Sequence, residues 1–287
     1  MMKTLLQINS VVNYGSTGRI VEELGQLAIN NGWRSYVAYG RNSNKSKSKL
    51  IKIGTACDVK THGLQTRLFD RHGLGSCNAT KKLIEQIKEI KPDIIHLHNL
   101  HGYYLNINVL FKYLNVSNIP IVWTFHDCWA MTGHCSYFDF AGCDKWKTEC
   151  YNCPQKKEYP SSFGLDQSKR NYNLKRELFT SVNNLTIVPV SKWLEGIVRQ
   201  SFLAKFPIQV INNGINIDIF HALQDFSIRD KYKLKDKFII LGVANVWEHR
   251  KGLKDFIELS INLDLNYQII LVGLTESQKK KLPSNII

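Results

Sequence analysis

The sequence predicts an α/β fold in which helices cover both faces of a parallel sheet. Short runs rich in Ile, Leu and Val alternate with longer segments whose apolar residues recur at helical spacing. The predicted strands are apolar almost throughout, as expected where both faces of a sheet are buried. Polar residues gather where several of these strands end. Ligands of such sheets bind beyond the carboxyl ends of the strands, so we expect the site there.

The predicted elements of residues 1–99 rest on apolar periodicity and on turn residues. A turn with two glycines, SVVNYGSTG, follows the strand TLLQIN, and Gly32 stops the next helix. Pro92 ends the amphipathic helix ATKKLIEQIKEIK. The predicted strands are 4–9, 35–40, 50–54 and 93–99, and the predicted helices are 20–28 and 79–91.

The same alternation continues after residue 99, except in one cysteine-rich stretch. Residues 128–160 show neither strand nor helix period, and we interpret them as an inserted loop. One strand–helix–strand unit with a preceding strand cannot bury both faces of a second sheet, so we expect an incomplete second domain. The predicted strands are 120–127, 185–191, 207–212, 237–245 and 267–274, with helices at 106–115, 168–183 and 192–202 and one before 267.

The formal net charge of +14 fits a phosphate-bearing substrate, an anionic membrane or nucleic acid. The lysines are spread along the chain apart from runs at 41–49 and 279–281, which are either solvated loops or a basic face on a membrane. No apolar run is long enough to span a bilayer, and the N-terminus lacks the pattern of a signal peptide. We therefore expect a cytoplasmic protein, with a membrane's inner face as a candidate peripheral contact.

Three predicted strands end in residues that a buried sheet does not need. Strand 93–99 ends in His96-Leu97-His98-Asn99, strand 120–127 ends in His126-Asp127, and strand 185–191 ends in Ser191. One histidine in such a place is commonly a structural residue. Several at one edge of a sheet predict a site, because parallel strands end on the same side.

Two further motifs fit an anionic ligand, although each also has a plainer interpretation, and a third motif indicates a turn. Gly15 and Gly18 lie between the first strand and its helix, where they allow either a simple turn or anion binding at the helix N-terminus. Arg250 and Lys251 precede a helix, where cations are unfavourable unless an anion such as a diphosphate compensates them. A solvated basic turn is the alternative. The pair 213–214, Asn-Gly, indicates at least a tight turn.

In this order, the motifs resemble those of retaining family 4 glycosyltransferases of the GT-B fold, most closely the bacterial capsule and exopolysaccharide members. The resemblance implies an α/β, GT-B-like fold with a complete N-terminal Rossmann-like domain at 1–204, which binds the acceptor, and an incomplete Rossmann-like domain at 205–287. The residues that match in the second half are Asn213, Gly214, Ile215, Asn216, Phe220, Lys251 and Gly252.

The resemblance also implies an activity and site roles. The activity is transfer of a sugar, with retention, from a nucleotide-sugar donor to a glycan or lipid-linked acceptor, without a metal for transfer and without nucleic acid as a partner. His126 would lie beside the reacting sugar. The residues that would bind the donor and its diphosphate are Gly15, Gly18, Arg250 and Lys251, and those at the acceptor side or cleft are His98, Asn99, Asn213 and Gly214.

Two departures from the family pattern bear on activity. Asn216 stands where the family usually has Asp. The two glutamates that the family spaces eight positions apart after the basic pair do not occur in this sequence: Asn266 follows Glu258 at that spacing, and Ser284 follows Glu276. We therefore expect a fragment or a natural truncation that transfers little or no sugar alone.

The cysteines allow several interpretations. Cys135, Cys143, Cys150 and Cys153 are spaced x7, x6 and x2, and only the last spacing is typical of zinc. A structural zinc, unligated packing cysteines and redox chemistry all stay open. Cys128 could pair with His126 as a nucleophile, but nothing nearby indicates acyl transfer. Two isolated cysteines are expected to be buried packing residues, namely Cys57 and Cys77.

Two other functions compete with sugar transfer. A zinc-stapled basic module that binds nucleic acid would use the charge and the cysteines, although the scattered lysines and buried sheet oppose it. Another nucleotide-sugar enzyme, such as an epimerase, would need a G-x-G-x-x-G loop and a Tyr-x-x-x-Lys pair, and the sequence has neither.

Overall fold

The computed structural model describes residues 2–223, 227–245 and 247–287. The chain divides into two compact units: unit 1 spans Met1–Gly214 and unit 2 spans Ile215–Ile287. The sequence-based boundary, between residues 204 and 205, lies slightly earlier, before the extended segment that runs beside the last strand of unit 1.

Unit 1 is built on a six-stranded sheet in which every neighbouring pair is parallel. The order β3-β2-β1-β4-β5-β6 is the doubly wound order, whose topological switch point lies between β1 and β4. This architecture confirms the predicted fold class. The strands are β1 (Thr4–Asn9), β2 (Arg34–Tyr39), β3 (Lys49–Lys52), β4 (Ile94–Leu97), β5 (Ile121–Phe125) and β6 (Leu185–Pro189).

One helix of unit 1 was not predicted. The helix α2 begins with a capping box between Thr55 and Asp58, but the residues it buries, His62 and Thr66, are polar, so no apolar stripe marks it. The helices of unit 1 are α1 (Gly15–Asn30), α2 (Ala56–Phe69), α3 (Cys77–Ile90), α4 (Ile107–Ser117), α5 (Ser168–Thr180) and α6 (Lys192–Val198).

Two predictions for unit 1 are wrong. The segment 207–212 is not a regular strand: it runs beside β6 with three backbone hydrogen bonds but a single bridge, between Ile187 and Ile208. Pro189 of β6 has no N–H to donate, which limits the ladder. Cys57 and Cys77 are exposed rather than buried, because they occupy the solvent-facing first turns of α2 and α3.

Unit 2 is smaller and contains a parallel pair of strands, β7 (Phe238–Val243) and β8 (Tyr267–Val272). Both were predicted. Its core consists of Trp247, Ile269, Leu271 and Ile286. The helices of unit 2 are α7 (Ser227–Lys231), α8 (Leu253–Asn262) and α9 (Glu276–Lys279). None of the helices in the described ranges combines the length and the apolar character that crossing a bilayer requires.

Candidate functional site

The glycine loop after β1 leads directly into an uncapped helix. Gly15, the first residue of α1, has a φ of +62°, which favours glycine. At Gly18, an added Cβ would lie 3.1 Å from the backbone nitrogen of Asn13, so only glycine fits without a shift. Tyr14, at the N-cap, makes no side-chain cap bond, and the first turn holds no acidic residue. The first N–H groups of this 16-residue helix are therefore suited to an anion.

Asn9 joins this loop to the loop that follows β4, across the switch point. Its amide nitrogen donates to the Val11 carbonyl at 2.8 Å, and its amide oxygen accepts from the backbone N–H of Asn99 at 3.2 Å. The hydroxyl of Tyr104 donates to the Asn99 carbonyl at 2.8 Å. Asn99 thus acts here through its backbone. It belongs to the same edge of the sheet as the glycine loop, where the loops after β1, β4 and β5 meet; we call this edge the rim.

A chain of hydrogen bonds connects the strand interior to His126 and fixes its tautomer. Gln7 donates its amide nitrogen to the Val21 carbonyl at 2.8 Å, so its oxygen accepts from Nε2–H of His98 at 3.2 Å. The Nδ1 atom of His98 then carries a lone pair and accepts Nε2–H of His126 at 3.3 Å. The remaining nitrogen of His126, Nδ1, is an acceptor with no partner among the residues the structure describes.

Burial keeps these histidines neutral. It lowers the pKa of His126 to about 4, an effect that the charge of Asp127 partly offsets. Burial and the neighbouring His126 lower the pKa of His96 to about 4, and burial lowers that of His98 well below its usual value. His126 is only half-buried, so a ligand can reach it. At neutral pH its Nδ1 is suited to accept a hydrogen bond from a ligand hydroxyl.

The sequence reasoning missed a second polar group at the same rim. His101 donates Nε2–H to an oxygen of Asp127 at 2.7 Å, and its Nδ1 accepts from the hydroxyl of Tyr159 at 3.0 Å. The other oxygen of Asp127 accepts from the Trp129 backbone at 2.9 Å. Burial alone would raise the pKa of Asp127, but His101 and the Trp129 N–H outweigh it and lower that pKa. The only signal in the sequence was that Asp127 follows His126.

In unit 2, the predicted basic residues lie on the short 3-10 turn before α8. Arg250 forms an ion pair with Glu248 at 3.0 Å, and Lys251 is exposed. Gly252 turns the chain with a φ of +76°, and Asp255 lies in the first turn of α8. The carboxylates of Glu248 and Asp255 therefore already offset part of the positive charge that Arg250 and Lys251 bring to this turn. The pair 213–214, where units 1 and 2 meet in sequence, is exposed and outside regular structure.

The insert 128–160 contains three short 3-10 turns and no longer helix or strand. Four of its cysteines line one cavity together with His134: Cys135, Cys143, Cys150 and Cys153. Among the described residues, no group of three or more His, Cys, Asp or Glu side chains has positions that could hold a metal ion as they stand. Burial raises the pKa of Cys128 to about 12, so its thiol is protonated at neutral pH and poorly suited to nucleophilic attack.

Solved structures with the same fold include several sugar-processing proteins. Sucrose-phosphate synthase from Thermosynechococcus elongatus superposes with a TM-score of 0.62 at 12% identity, over 99% of this chain and 69% of that one. HepE from Anabaena, in complex with UDP-glucose, gives 0.57 at 12% identity over 99% and 67%. WaaG, a glycosyltransferase of lipopolysaccharide biosynthesis, gives 0.56 at 12% over 99% and 69%. At these identities the likeness shows the fold alone, and it confirms the predicted GT-B-like class.

Sequence comparison adds a relative and a family. The chain is 28% identical over 236 residues to the putative colanic acid biosynthesis glycosyl transferase WcaC of Escherichia coli K12. The match covers 77% of this chain and 56% of the relative, so the chain spans little more than half of that protein. The family described as Glycosyltransferase Family 4 matches residues 17–219, which is most of the chain. The chain therefore belongs to glycosyltransferase family 4.

Proposed function

We propose that this protein transfers a sugar, with retention, from a nucleotide-sugar donor to a glycan or lipid-linked acceptor during synthesis of a surface polysaccharide. Family membership and the relative from colanic acid biosynthesis support this function. The observation that carries it is the neutral His126 at the strand-end rim, with an acceptor nitrogen open to a ligand hydroxyl. The crystallised complex of HepE with UDP-glucose makes uridine diphosphate sugars the first donors to test.

In this proposal, His126 orients the donor sugar by accepting a hydrogen bond from one of its hydroxyls. The N-terminus of α1 stabilises the charge that develops on the leaving diphosphate. The acceptor oxygen bonds to the anomeric carbon as the bond to the phosphate oxygen breaks, and the acceptor proton passes to the leaving phosphate. Holding donor and acceptor on one face gives retention without a protein nucleophile.

The test compares His126→Ala with His221→Ala, which alters an exposed histidine of unit 2. Ligand-observed NMR measures binding of uridine diphosphate sugars, and a radiolabel assay measures transfer to lipid-linked acceptors. We expect His126→Ala to weaken sugar contacts and to lower any transfer about 100-fold, the order of effect that a lost positioning bond can have. Equal behaviour of the two variants would refute the role of His126. Absence of sugar-nucleotide binding by the wild type would refute the proposed function of this chain.

We also propose that the protein works at the cytoplasmic face of an anionic membrane, where lipid-linked acceptors reside. The net charge of +14 supports this location.

A further inference from the structure

The insert 128–160 is a long irregular segment that is nevertheless well packed. Cys135, Phe138 and Trp146 are buried in the main core of unit 1. The rings of Phe138 and Trp146 stack with centroids 4.7 Å apart. Loops of this length without helices or strands are uncommon in compact domains, and those that keep a fixed shape need internal contacts to hold them.

Four cysteines converge inside this insert, although they are spread over its sequence. They line a single cavity of about 10 Å³, which has room for one water-sized occupant. The thiol of Cys135 contacts the sulfur of Cys153 and lies within electrostatic reach of Cys143 and Cys150. Cys150 in turn interacts with Cys143 and Cys153. The four sulfurs therefore surround one small volume rather than forming two separate pairs.

The backbone packs tightly against this cluster at Gly133. An added Cβ there would lie 2.0 Å from the carbonyl oxygen of Ser168 and 2.9 Å from the Cβ of Cys150, so the chain can approach this closely only as glycine.

A buried lysine lies beside the same cluster. Lys175 is only 2% exposed, and its Nζ atom donates to the carbonyls of Trp129 and Thr132 at 2.7 and 3.0 Å and lies 3.5 Å from the centroid of the Trp129 ring. Burial lowers its pKa to about 7, and Cys150, Cys135, Asp70 and Asp127 oppose that lowering. Four thiolates around a divalent cation carry a net charge of about −2, which a neighbouring lysine would help to balance.

His134 provides an independent sign that the cavity takes an occupant. Its Nδ1 bonds to Asp70 at 2.5 Å with both side chains buried. Its Nε2 is buried, lines the same cavity region and has no partner among the described residues. Buried polar atoms are normally paired, so an orphan beside four thiols indicates a group that completes the site. Four thiols already fill the four positions of a tetrahedral site, so we take the cysteines as the ligands and His134 as a neighbour of the site.

We propose that Cys135, Cys143, Cys150 and Cys153 bind one zinc ion, which fixes the insert on the core of unit 1. Four sulfur donors favour a tetrahedral thiolate metal, and zinc is the commonest such ion in structural sites. Binding would draw the sulfurs inward to about 2.3 Å from the metal, because the ligands surround the cavity but do not yet form a finished site.

Metal analysis of the purified full chain tests the proposal. We expect about one zinc per chain in the wild type and less than about 0.2 in Cys143→Ser and Cys153→Ser. The matched control is a double variant, Cys57→Ser with Cys77→Ser, which removes two exposed cysteines and should keep the zinc. Less than about 0.2 zinc per chain in the wild type, or iron in its place, would overturn the proposal.

Two further measurements do not depend on whether the cysteine variants fold: the melting temperature after metal removal, and the absorption spectrum with cobalt. Wild-type protein treated with a chelator should melt at a lower temperature and recover with added Zn²⁺ but not Mg²⁺. Cobalt substituted for zinc should show the intense absorption of tetrahedral thiolate coordination. His134→Gln should retain zinc and the four-sulfur cobalt spectrum. Loss of zinc in His134→Gln while a cysteine variant keeps it would refute the four-cysteine ligand set.

Discussion

His126 donates Nε2–H to the Nδ1 atom of His98 across 3.3 Å, and this bond decides which nitrogen of His126 faces the rim. The direction of the bond is set below it, because the amide nitrogen of Gln7 is committed to the Val21 carbonyl. A buried glutamine thus determines that His126 presents a lone pair rather than a proton. A histidine arranged in this way accepts a hydrogen bond from a sugar hydroxyl and is a poor general acid.

Acid should destabilise unit 1 through its buried histidines. Above pH 6.5 the folded and unfolded chains both hold His96 neutral, so its titration contributes nothing. Below that pH the unfolded chain binds a proton that the folded chain refuses until about pH 4, and stability falls through this interval. For His96 the loss is about 3 kcal/mol.

The measurement is urea unfolding of His96→Gln between pH 7 and pH 4.5. Glutamine can still bond to Thr124, which the His96 ring contacts at 2.8 Å, but it does not titrate. We expect the variant to lose about 2–3 kcal/mol less than the wild type over this range. Replacing the exposed His221 by Gln is the control and should leave the profile unchanged. Parallel profiles for all three proteins would contradict the prediction.

Gly15 should tolerate replacement only by residues that accept a left-handed backbone. Its φ is +62°, but no atom lies within 4 Å of an added Cβ, so strain rather than a clash sets the cost. We expect Gly15→Ala to lower the free energy of unfolding by about 1 kcal/mol and Gly15→Asn by less, because Asn adopts this conformation more readily.

Chemical denaturation measures the difference, with Gly196→Ala as the control. Gly196 lies within α6, has no neighbour within 4 Å of an added Cβ and does not have a left-handed φ. Alanine there should raise stability by up to about 1 kcal/mol. Equal destabilisation by Ala and Asn at Gly15 would show that backbone strain is not the cause.

The sequence predicted the sheet of unit 1 well because its strands are buried on both faces and leave a continuous apolar signal. It failed where burial does not involve apolar residues, as in α2, whose buried residues are His62 and Thr66. It also failed at 207–212, where the apolar pattern is present and three backbone hydrogen bonds join the segment to β6, but only a single bridge forms, at Ile208. Pro189 of β6 has no N–H with which to continue that ladder.

The candidate site shows a similar division. His98 and His126 were predicted to meet because parallel strands end at one edge, and they share a hydrogen bond. The contact between His101 and Tyr159 was not predictable, since the two residues are 58 positions apart and Tyr159 lies in an insert without periodicity. The partners of His134 were hidden for the same reason, because Asp70 reaches it from 64 positions away.

Binding to anionic membranes should depend more on electrostatic attraction than on burial of apolar side chains in the lipid. Lys45 and Lys47 are exposed within the basic run 41–49. Cosedimentation at low salt should show binding to vesicles that contain phosphatidylserine and little binding to neutral vesicles, with loss of binding as salt shortens the screening length. Reversing both charges with Lys45→Glu and Lys47→Glu should weaken binding about tenfold or more. Equal binding to neutral and anionic vesicles would contradict an electrostatic contact.

Asp127 should stabilise the rim through the groups that it pairs. Replacing it by Ala leaves His101 Nε2 and the Trp129 N–H without their partner in a site where the Asp127 side chain is only 11% exposed. Unpaired buried groups of this kind cost about 1–3 kcal/mol each, so we expect Asp127→Ala to lower the free energy of unfolding by about 2–4 kcal/mol. Asp139→Ala, at an exposed aspartate of the insert, should change it by less than about 0.5 kcal/mol. Asp127→Asn keeps an acceptor oxygen for His101, so its loss of stability should lie between those of Asp127→Ala and Asp139→Ala. A loss as large as that of Asp127→Ala would show that the charge of Asp127 matters more than its hydrogen bonds.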